Sequence, residues 1–362
     1  MPLFAGNRGK RTMSLLRITA ILLLGGALFS HGNGAHAQQS REQLARGLPS
    51  SNLSGTDVQA TQASLLAAPG FARARVASNP AAADATAVGE ATCTSCHQLE
   101  ADHFTHTLHA LGLHAASQAD ASIPVCEACH GPGSRHAQAP FEKGLIIAFT
   151  KGGGTPTEVQ TATCLNCHKG GPRDHWSGSV HQRNDLSCSD CHNPMANFSA
   201  EGFMARNSIN DTCAQCHKDV RLQFNRRSHM PLPEGQMSCV DCHNPHGSIT
   251  NPLLKTNTVN ETCYQCHAEK RGPFLFEHAP VRENCLNCHS PHGSNQNTLL
   301  VAPVPFLCQQ CHTGQRHPND LHTAQSLATG SKPDERVMGR GCLTCHANIH
   351  GSNAPSGPRF HE

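Results

Sequence analysis

The sequence predicts a fold with little regular secondary structure, in which short α-helices and loops replace a conventional apolar core. Three observations predict this class. All 20 cysteines of the 362-residue chain lie in Cys-x-x-Cys-His segments, and aromatic residues make up only 4% of it. Apolar residues also show little helical or strand periodicity. The chain is therefore expected to be organised around something other than its own side chains.

The ten Cys-x-x-Cys-His segments identify this organising element. Two thioether bonds hold the vinyl groups of a haem and the adjoining histidine binds its iron, so each segment is an attachment signal for a c-type haem. The predicted haem-binding cysteines are Cys93, Cys96, Cys126, Cys129, Cys164, Cys167, Cys188, Cys191, Cys213, Cys216, Cys239, Cys242, Cys263, Cys266, Cys285, Cys288, Cys308, Cys311, Cys342 and Cys345. The predicted proximal iron ligands are His97, His130, His168, His192, His217, His243, His267, His289, His312 and His346. The expected cofactor is haem c, in ten covalently attached copies.

Two other uses of paired cysteines explain the pattern less well. Zinc ribbons close a Cys-x-x-Cys pair with a second pair or with two histidines, and need no histidine directly after each pair. Disulfide frameworks scatter their cysteine spacings. We therefore predict a multihaem cytochrome, with short α-helices and loops wrapped round an extended haem chain. Because the porphyrins form its core, the apoprotein should be largely unfolded.

The chain divides into three segments. Residues 1–37 have a basic start, an apolar run and a small-x-small sequence at Ala35–Ala37, which predict a signal peptide. A retained N-terminal anchor is the alternative, although the apolar run is short for a membrane span. Residues 38–88 hold no haem motif and are rich in Ala, Ser, Gln and Thr, which predicts a low-complexity, flexible extension. Residues 89–362 are the predicted decahaem electron-transfer domain.

The motifs alternate between two sequence contexts in the middle of the chain. One context begins with a polar turn that resembles a helix cap, as at Asn210–Thr212 and Asn260–Thr262. The other continues past its histidine as Asn-Pro or Ser-Pro. Together they make a unit of about 50 residues with two haems, a period typical of one-dimensional repeat proteins. Short helices are expected to carry many of the motifs, with Pro- and Gly-rich loops between them.

Ten six-coordinate irons need ten further ligands. The candidate histidines follow a motif closely or precede the next one: His109, His136, His181, His229, His246, His278, His292, His317 and His350. A histidine such as His246 is too near its own proximal ligand to reach the other face of that haem, so it is expected to bind a different one. The Gly-Ser that follows it lets the backbone pass close to a ring. In the same regions, His103, His106 and His114 compete with His109, and His322 competes with His317.

The tenth candidate ligand is Met195, which occupies the corresponding position after Cys188–His192. Methionine binds haem iron, and histidine/methionine ligation raises the reduction potential. The alternative is a packing methionine, with His175 or another spare histidine on that iron.

Several sequences resemble the outer-membrane decahaem cytochromes of the MtrA, DmsE and PioA type. They are ETCYQCHAEKRGP from Glu261, EHAP from Glu277, CQQCH from Cys308 and CVDCHNPHGS from Cys239, and the resemblance extends from Cys93 to about Gly357. It implies a haem chain inside an outer-membrane β-barrel porin, with the ten motifs and the nine histidines above as haem ligands. Met195 departs from the all-histidine ligation expected of the metal-reducing members, which puts the reducing direction in doubt.

These expectations lead to a function without catalysis. The expected partners are the porin, periplasmic electron carriers, and an extracellular cytochrome or soluble or mineral iron, with the protein in the periplasm and associated with the outer membrane. A histidine/methionine site favours electron uptake from a donor such as Fe(II) over metal reduction. A soluble periplasmic shuttle and a multihaem small-molecule reductase are the alternatives. Loss of residues 1–37 removes four basic and no acidic residues, which changes the formal net charge from +2 to −2, and nothing indicates nucleic-acid binding.

Overall fold

The computed structural model describes residues 70–312 and 342–361. The predicted signal peptide, the extension before residue 70 and the candidate ligands His317 and His322 lie outside the described residues. Because residues 38–69 are among them, the predicted flexibility of the extension stays a prediction.

The described residues form short helices joined by loops, as predicted. The α-helices are α1 Glu90–Thr94, α2 Gln98–Thr105, α3 Leu108–Ala119, α4 Glu127–His130, α5 Ser134–Gln138, α6 Thr157–Leu165, α7 Val180–Arg183, α8 Ile209–Ala214, α9 Lys218–Gln223, α10 Cys239–Cys242, α11 Val259–Tyr264, α12 Ala279–Glu283 and α13 Val304–Gln309. The 3-10 helices are Phe71–Arg73, Pro80–Ala82, Gly171–Arg173, Cys188–Asp190, Ala268–Lys270, Cys285–Asn287, Asn297–Leu299 and Cys342–Thr344. Strands are absent from the described ranges, which contain only isolated β-bridges. Over the same ranges, no helix combines the length and apolar character of a membrane span.

The motifs, numbered as sites 1 to 10 in chain order from Cys93 to Cys342, belong to two structural kinds. At odd sites the first cysteine lies at or near the end of an α-helix, namely α1, α6, α8, α11 or α13. At even sites a short helix instead begins at the first cysteine or directly after it, as α10 begins at Cys239. The two sequence contexts therefore correspond to opposite ends of a helix.

The N-caps of α8 and α11 lie earlier in the sequence than expected. The side-chain oxygens of Ser208 and Thr258 accept hydrogen bonds from the backbone N–H groups of Asp211 and Glu261. Each oxygen thus satisfies a donor that the first helical turn leaves without a partner. The expected cap-like role of the segments that begin at Asn210 and Asn260 is wrong, because these residues lie inside the first turn.

A common loop follows sites 4, 6 and 8. In each, the chain returns to its proximal histidine through an antiparallel bridge: His192 with Met204, His243 with Leu254, and His289 with Leu300. Equivalent backbone hydrogen bonds flank the three bridges, for example from the N–H of residue 205, 255 or 301 to the second motif cysteine (2.8–2.9 Å). The unit seen in the sequence is therefore also a repeat of backbone structure.

One small apolar cluster lies on the N-terminal side of the array. It comprises Ala74, Phe104, Ala110, Leu113, Ala116, Ile123 and Val125, all buried. Most of it comes from α3 and the segment between α3 and site 2. Phe71, Cys126, Ala128 and Met195 pack against it. Site 2 is therefore attached to an ordinary hydrophobic core.

The buried carboxylate of Glu127, inside the site 2 motif, holds residues 70–88 against this region. Its oxygens accept hydrogen bonds from the backbone N–H groups of Val88 (2.9 Å), Gly89 (3.1 Å) and Gly133 (2.9 Å). Three donors compensate for the cost of burying the carboxylate. The residues just before site 1 are thereby tied to site 2.

Candidate haem sites

Seven of the ten motif histidines lie about 6 Å from the ring of a second histidine, whereas His346 lies 4.5 Å from His361. The ring centroids are 5.8–6.2 Å apart in the pairs His97–His136, His168–His109, His192–His246, His217–His181, His243–His292, His289–His350 and His312–His278. Two imidazoles bound to opposite sides of one metal ion require about 6 Å, since each metal–nitrogen bond is about 2 Å and each ring centre lies about 1 Å beyond its nitrogen. Their interplanar angles differ widely, but rotation about the axis through the metal is compatible with this geometry. The residues present therefore fit a haem iron with two axial histidines.

The pairs follow a simple register at even sites. His192 of site 4 faces His246, which lies in the loop after site 6. In the same way, His243 of site 6 faces His292 from the loop after site 8. His289 of site 8 faces His350 from the loop after site 10. Each of these three even sites thus faces a histidine supplied by the next even site.

Odd sites obtain their facing histidine differently. His217 of site 5 faces His181, and His312 of site 9 faces His278, so both partners come from earlier in the chain. His168 of site 3 likewise faces the earlier His109. Sites 3, 5 and 9 therefore take their partners from earlier in the sequence and sites 4, 6 and 8 from later in it, whereas His97 of site 1 faces the later His136.

Three candidate ligands are not part of these pairs. His317 lies outside the described residues. His229 donates from Nδ1 to the carbonyl oxygen of Arg226 (2.7 Å) while its Nε2 lies 3.0 Å from Glu234, and this hydrogen bond to Glu234 raises the pKa of His229. His181 precedes site 4 and faces site 5, and His278 precedes site 8 and faces site 9. By the same order His229, which precedes site 6, should face site 7, and this stays a prediction. Met195 is treated separately below.

The proximal histidines of the even sites each make the same kind of hydrogen bond. Their Nδ1–H groups donate to the backbone carbonyl oxygens of Ile147, Gly202, Pro252, Thr298 and Arg359 at 2.6–2.9 Å. The bond fixes the tautomer that leaves Nε2 for the metal and makes the imidazole a stronger donor. Odd sites differ, because His97 and His267 have carboxylates at 3.8 and 3.6 Å from Nδ1 instead.

Burial favours the neutral form of four of the facing histidines. It lowers the pKa of His109, His246, His292 and His350, with nearby histidines as a further cause at each of them. A neutral imidazole is the form that binds a metal. The Nδ1 atoms of His109, His136 and His246 are buried without a hydrogen-bond partner among the described residues, and axial ligation would account for the burial of these rings.

The cysteine sulfurs, where the thioether bonds form, show which sites are neighbours. The sulfurs lie close enough to interact in five pairs, each of which joins an odd site to the following even one: Cys93 and Cys126, Cys164 and Cys188, Cys213 and Cys239, Cys263 and Cys285, and Cys308 and Cys342. The second cysteines of sites 2 and 3, 4 and 5, 6 and 7, and 8 and 9 also interact electrostatically. Each site is therefore adjacent to the ones before and after it in the sequence.

Side-chain amides clamp two of the pairs of sites, sites 5 and 6 and sites 7 and 8, a role that sequence reasoning missed. Asn260 on α11 accepts a hydrogen bond from the N–H of Cys285 (2.8 Å) and donates to the carbonyl oxygens of Val281 and Arg282. Asn210 on α8 makes the same contact with the N–H of Cys239 (2.9 Å). The only sequence signal was the repeated Asn, three residues before the first cysteine.

Replacing Asn260 with alanine should lower the free energy of unfolding by about 1–3 kcal/mol, because a buried N–H and two carbonyls lose their partner. Guanidinium unfolding of the holoprotein measures this. Asn225→Ala is the control, since Asn225 is exposed on the surface. Equal effects of the two substitutions would contradict the clamp.

The glycines that follow three of the facing histidines allow a close approach to other chain segments. A Cβ on Gly247 would overlap the carbonyl oxygen of His175, and one on Gly293 would overlap that of Gln223. One on Gly351 would meet the ring of Phe274. The sequence correctly indicated close packing, but the packing partners in the polypeptide are two backbone carbonyls and a phenylalanine.

Haem-attachment motifs whose histidines face second histidines at metal-binding distance define a multihaem c-type cytochrome, an electron-transfer protein. A family model described as a doubled CXXCH motif matches residues 181–222, 229–272 and 278–317, so each match begins at a predicted distal histidine. A model described as a cytochrome c-type protein, NrfB-like, matches residues 126–201. The chain is 39% identical over 277 residues to the multihaem cytochrome MtrA of Shewanella baltica (strain OS185), an alignment that covers 74% of this chain and 80% of the relative. The chain therefore belongs to the MtrA family, and its haem c is covalently bound.

Proposed function

We propose that this protein holds ten haems and conducts electrons across the outer membrane, inside a β-barrel porin, between the periplasm and the cell exterior. The observation that carries the proposal is the order of thiol contacts, which makes each site a neighbour of the preceding and following ones. Haem iron, when bound, supplies one-electron chemistry. The chain's residues then fix the spacing, ligation and solvent access along an uninterrupted series.

The paired histidines support conduction over catalysis. A small-molecule reductase requires an iron face that a substrate can reach. Here seven proximal histidines each face a second histidine, so those sites offer no open face. Outer-sphere electron transfer needs no such opening. The proposal therefore assigns no catalytic residue.

The porin partner is proposed from the loop-rich backbone together with membership of the MtrA family. Lipid does not tolerate irregular backbone with unpaired polar groups, whereas a closed barrel can enclose it. The proposed location is the periplasmic side of the outer membrane, with periplasmic carriers at one end and an extracellular cytochrome or iron at the other.

Reconstitution tests the conduit. Liposomes that contain the barrel partner and the full holoprotein should reduce an external acceptor from an internal electron donor, whereas liposomes with the barrel alone should not. A Cys213→Ala/Cys216→Ala variant lacks one haem in the middle of the array and should fall to the level of the barrel alone. Equal rates for the variant and the native protein would contradict conduction through the array.

We propose that the physiological direction is uptake from an external donor such as Fe(II). Its support is the candidate histidine/methionine site, because such ligation raises the reduction potential. A deletion strain should lose iron-dependent electron uptake. Loss of ferric reduction alone would overturn this direction.

A further inference from the structure

The register of the even sites indicates which iron Met195 faces. Sites 4, 6 and 8 each face the residue supplied by the loop after the next even site. Applied to site 2, whose proximal ligand is His130, the same register selects the loop after site 4, where the corresponding residue is Met195. We propose that the Sδ of Met195 is the sixth ligand of the iron bound by His130. The inference rests on the ten-haem assignment proposed above.

The backbone around Met195 matches that around a facing histidine. The N–H of Met195 donates to the Oδ1 of Asn193 (3.0 Å), as the N–H of His246 donates to the Oδ1 of Asn244 (3.2 Å). Both loops also return through the same bridge to their own proximal histidine. Met195 therefore takes the place in its turn that His246 takes in the next repeat.

The side chain of Met195 lies in an apolar environment that it shares with site 2. Met195 packs on the apolar cluster together with Cys126 and Ala128, which are part of the site 2 motif. The amide of Asn197 donates to the carbonyl oxygen of His106 (2.6 Å), which anchors the loop between α2 and α3. The proximal His130 donates from Nδ1 to Ile147, which leaves its Nε2 for the iron.

The histidines near site 2 are engaged elsewhere or exposed. His109 faces His168 of site 3. The Nε2 of His114 lies 2.8 Å from Glu90. His103 and His106 are exposed. A thioether in an apolar cluster is also a suitable neighbour for this iron, because sulfur is a soft and polarizable donor.

Methionine ligation would make site 2 the point in the array where an electron is held most strongly. Both the thioether and the apolar surroundings favour the reduced iron. At a solution potential midway along the titration of the other haems, the ratio of reduced to oxidised site 2 should be at least tenfold higher, which corresponds to 59 mV or more for one electron.

The test uses the purified full holoprotein, first checked for haem content. Near-infrared magnetic circular dichroism should show one histidine/methionine haem among bis-histidine haems, and a redox titration should show one component at higher potential. Met195→His should remove both signals. Met204→Leu is the matched control, because the equivalent residues after sites 6 and 8 are Leu254 and Leu300, and it should keep both.

A converse substitution and a haem deletion locate the ligand. His246→Met should add a second histidine/methionine signal, which remains informative if Met195→His does not mature. Cys126→Ala/Cys129→Ala should abolish the native signal, whereas Cys188→Ala/Cys191→Ala should keep it. Absence of a methionine signal in the native protein, its survival in Met195→His, or its loss only with the site 4 haem would overturn the inference. These spectra need no porin, so they are independent of the conduction assay, and that assay would still test the conduit if the ligand assignment failed.

Discussion

Replacing His350 with alanine is expected to open an iron held by a motif much earlier in the chain. His350 follows site 10, but its ring lies 6.1 Å from that of His289 at site 8, with the two rings nearly parallel. One of ten irons should change from low spin to high spin, and its reduction potential should rise by about 0.1 V, a fraction of the ~0.8 V that axial ligands span. Electron paramagnetic resonance and carbon monoxide binding measure the opened iron.

The location of the opened iron distinguishes this expectation from a local effect. Combining His350→Ala with Cys285→Ala/Cys288→Ala should remove the high-spin signal, since site 8 then has no haem. Combining it with Cys342→Ala/Cys345→Ala should leave the signal. The reverse result would mean that His350 serves its own site. His103→Ala, on the exposed face of α2, should produce no high-spin iron.

Gly293→Ala should have a large effect on stability for a substitution that adds one methyl group. Gly293 has a φ of 151°, and an added methyl group would overlap the carbonyl oxygen of Gln223, which is backbone and cannot rotate away. Overpacking together with backbone strain should cost about 2–4 kcal/mol. The preceding His292 should also be displaced from His243, so a fraction of site 6 becomes high spin.

The comparison with Gly235→Ala separates the two causes. Gly235 has a φ of 71°, but a Cβ there would have nothing within 4 Å. Its substitution should therefore cost only the strain of a left-handed residue, about 1–2 kcal/mol, and should leave every haem low spin. Guanidinium unfolding and electron paramagnetic resonance measure both variants. If Gly293→Ala behaved like Gly235→Ala, close packing would not be the reason for the glycine.

The covalent chemistry of this protein was predictable because it is local. Five consecutive residues such as Cys263–His267 contain a complete attachment signal, so ten copies predicted the cofactor and a fold of short helices and loops. The short distance in sequence from His243 to His246 also showed that His246 cannot bind the haem of His243. The identity of the haem that His246 faces could not be predicted in this way, because it depends on how successive repeats fold against one another.

The hydrogen bonds between repeats could not be predicted from the sequence either. Asn260 precedes Cys263 in a context that suits a helix cap, and only the structure places its amide against the N–H of Cys285. The position of the motif at opposite ends of a helix at odd and even sites was also missed. Composition and motif spacing are the same whether Cys239 begins a helix or ends one.

The facing histidines of sites 3, 5 and 9 come from earlier in the chain and those of sites 4, 6 and 8 from later, and this difference has a consequence for biogenesis. If the chain is exported with its N-terminus first, as the predicted signal peptide implies, His181 emerges before the motif at Cys213, so the partner of site 5 is already outside when that motif appears. His192 can meet its partner only after His246 has emerged, and His289 only after His350, near the end of the described chain, has emerged. Maturation should consequently pass through species in which alternate irons remain half-ligated, and premature termination would leave reactive haems well upstream of the break.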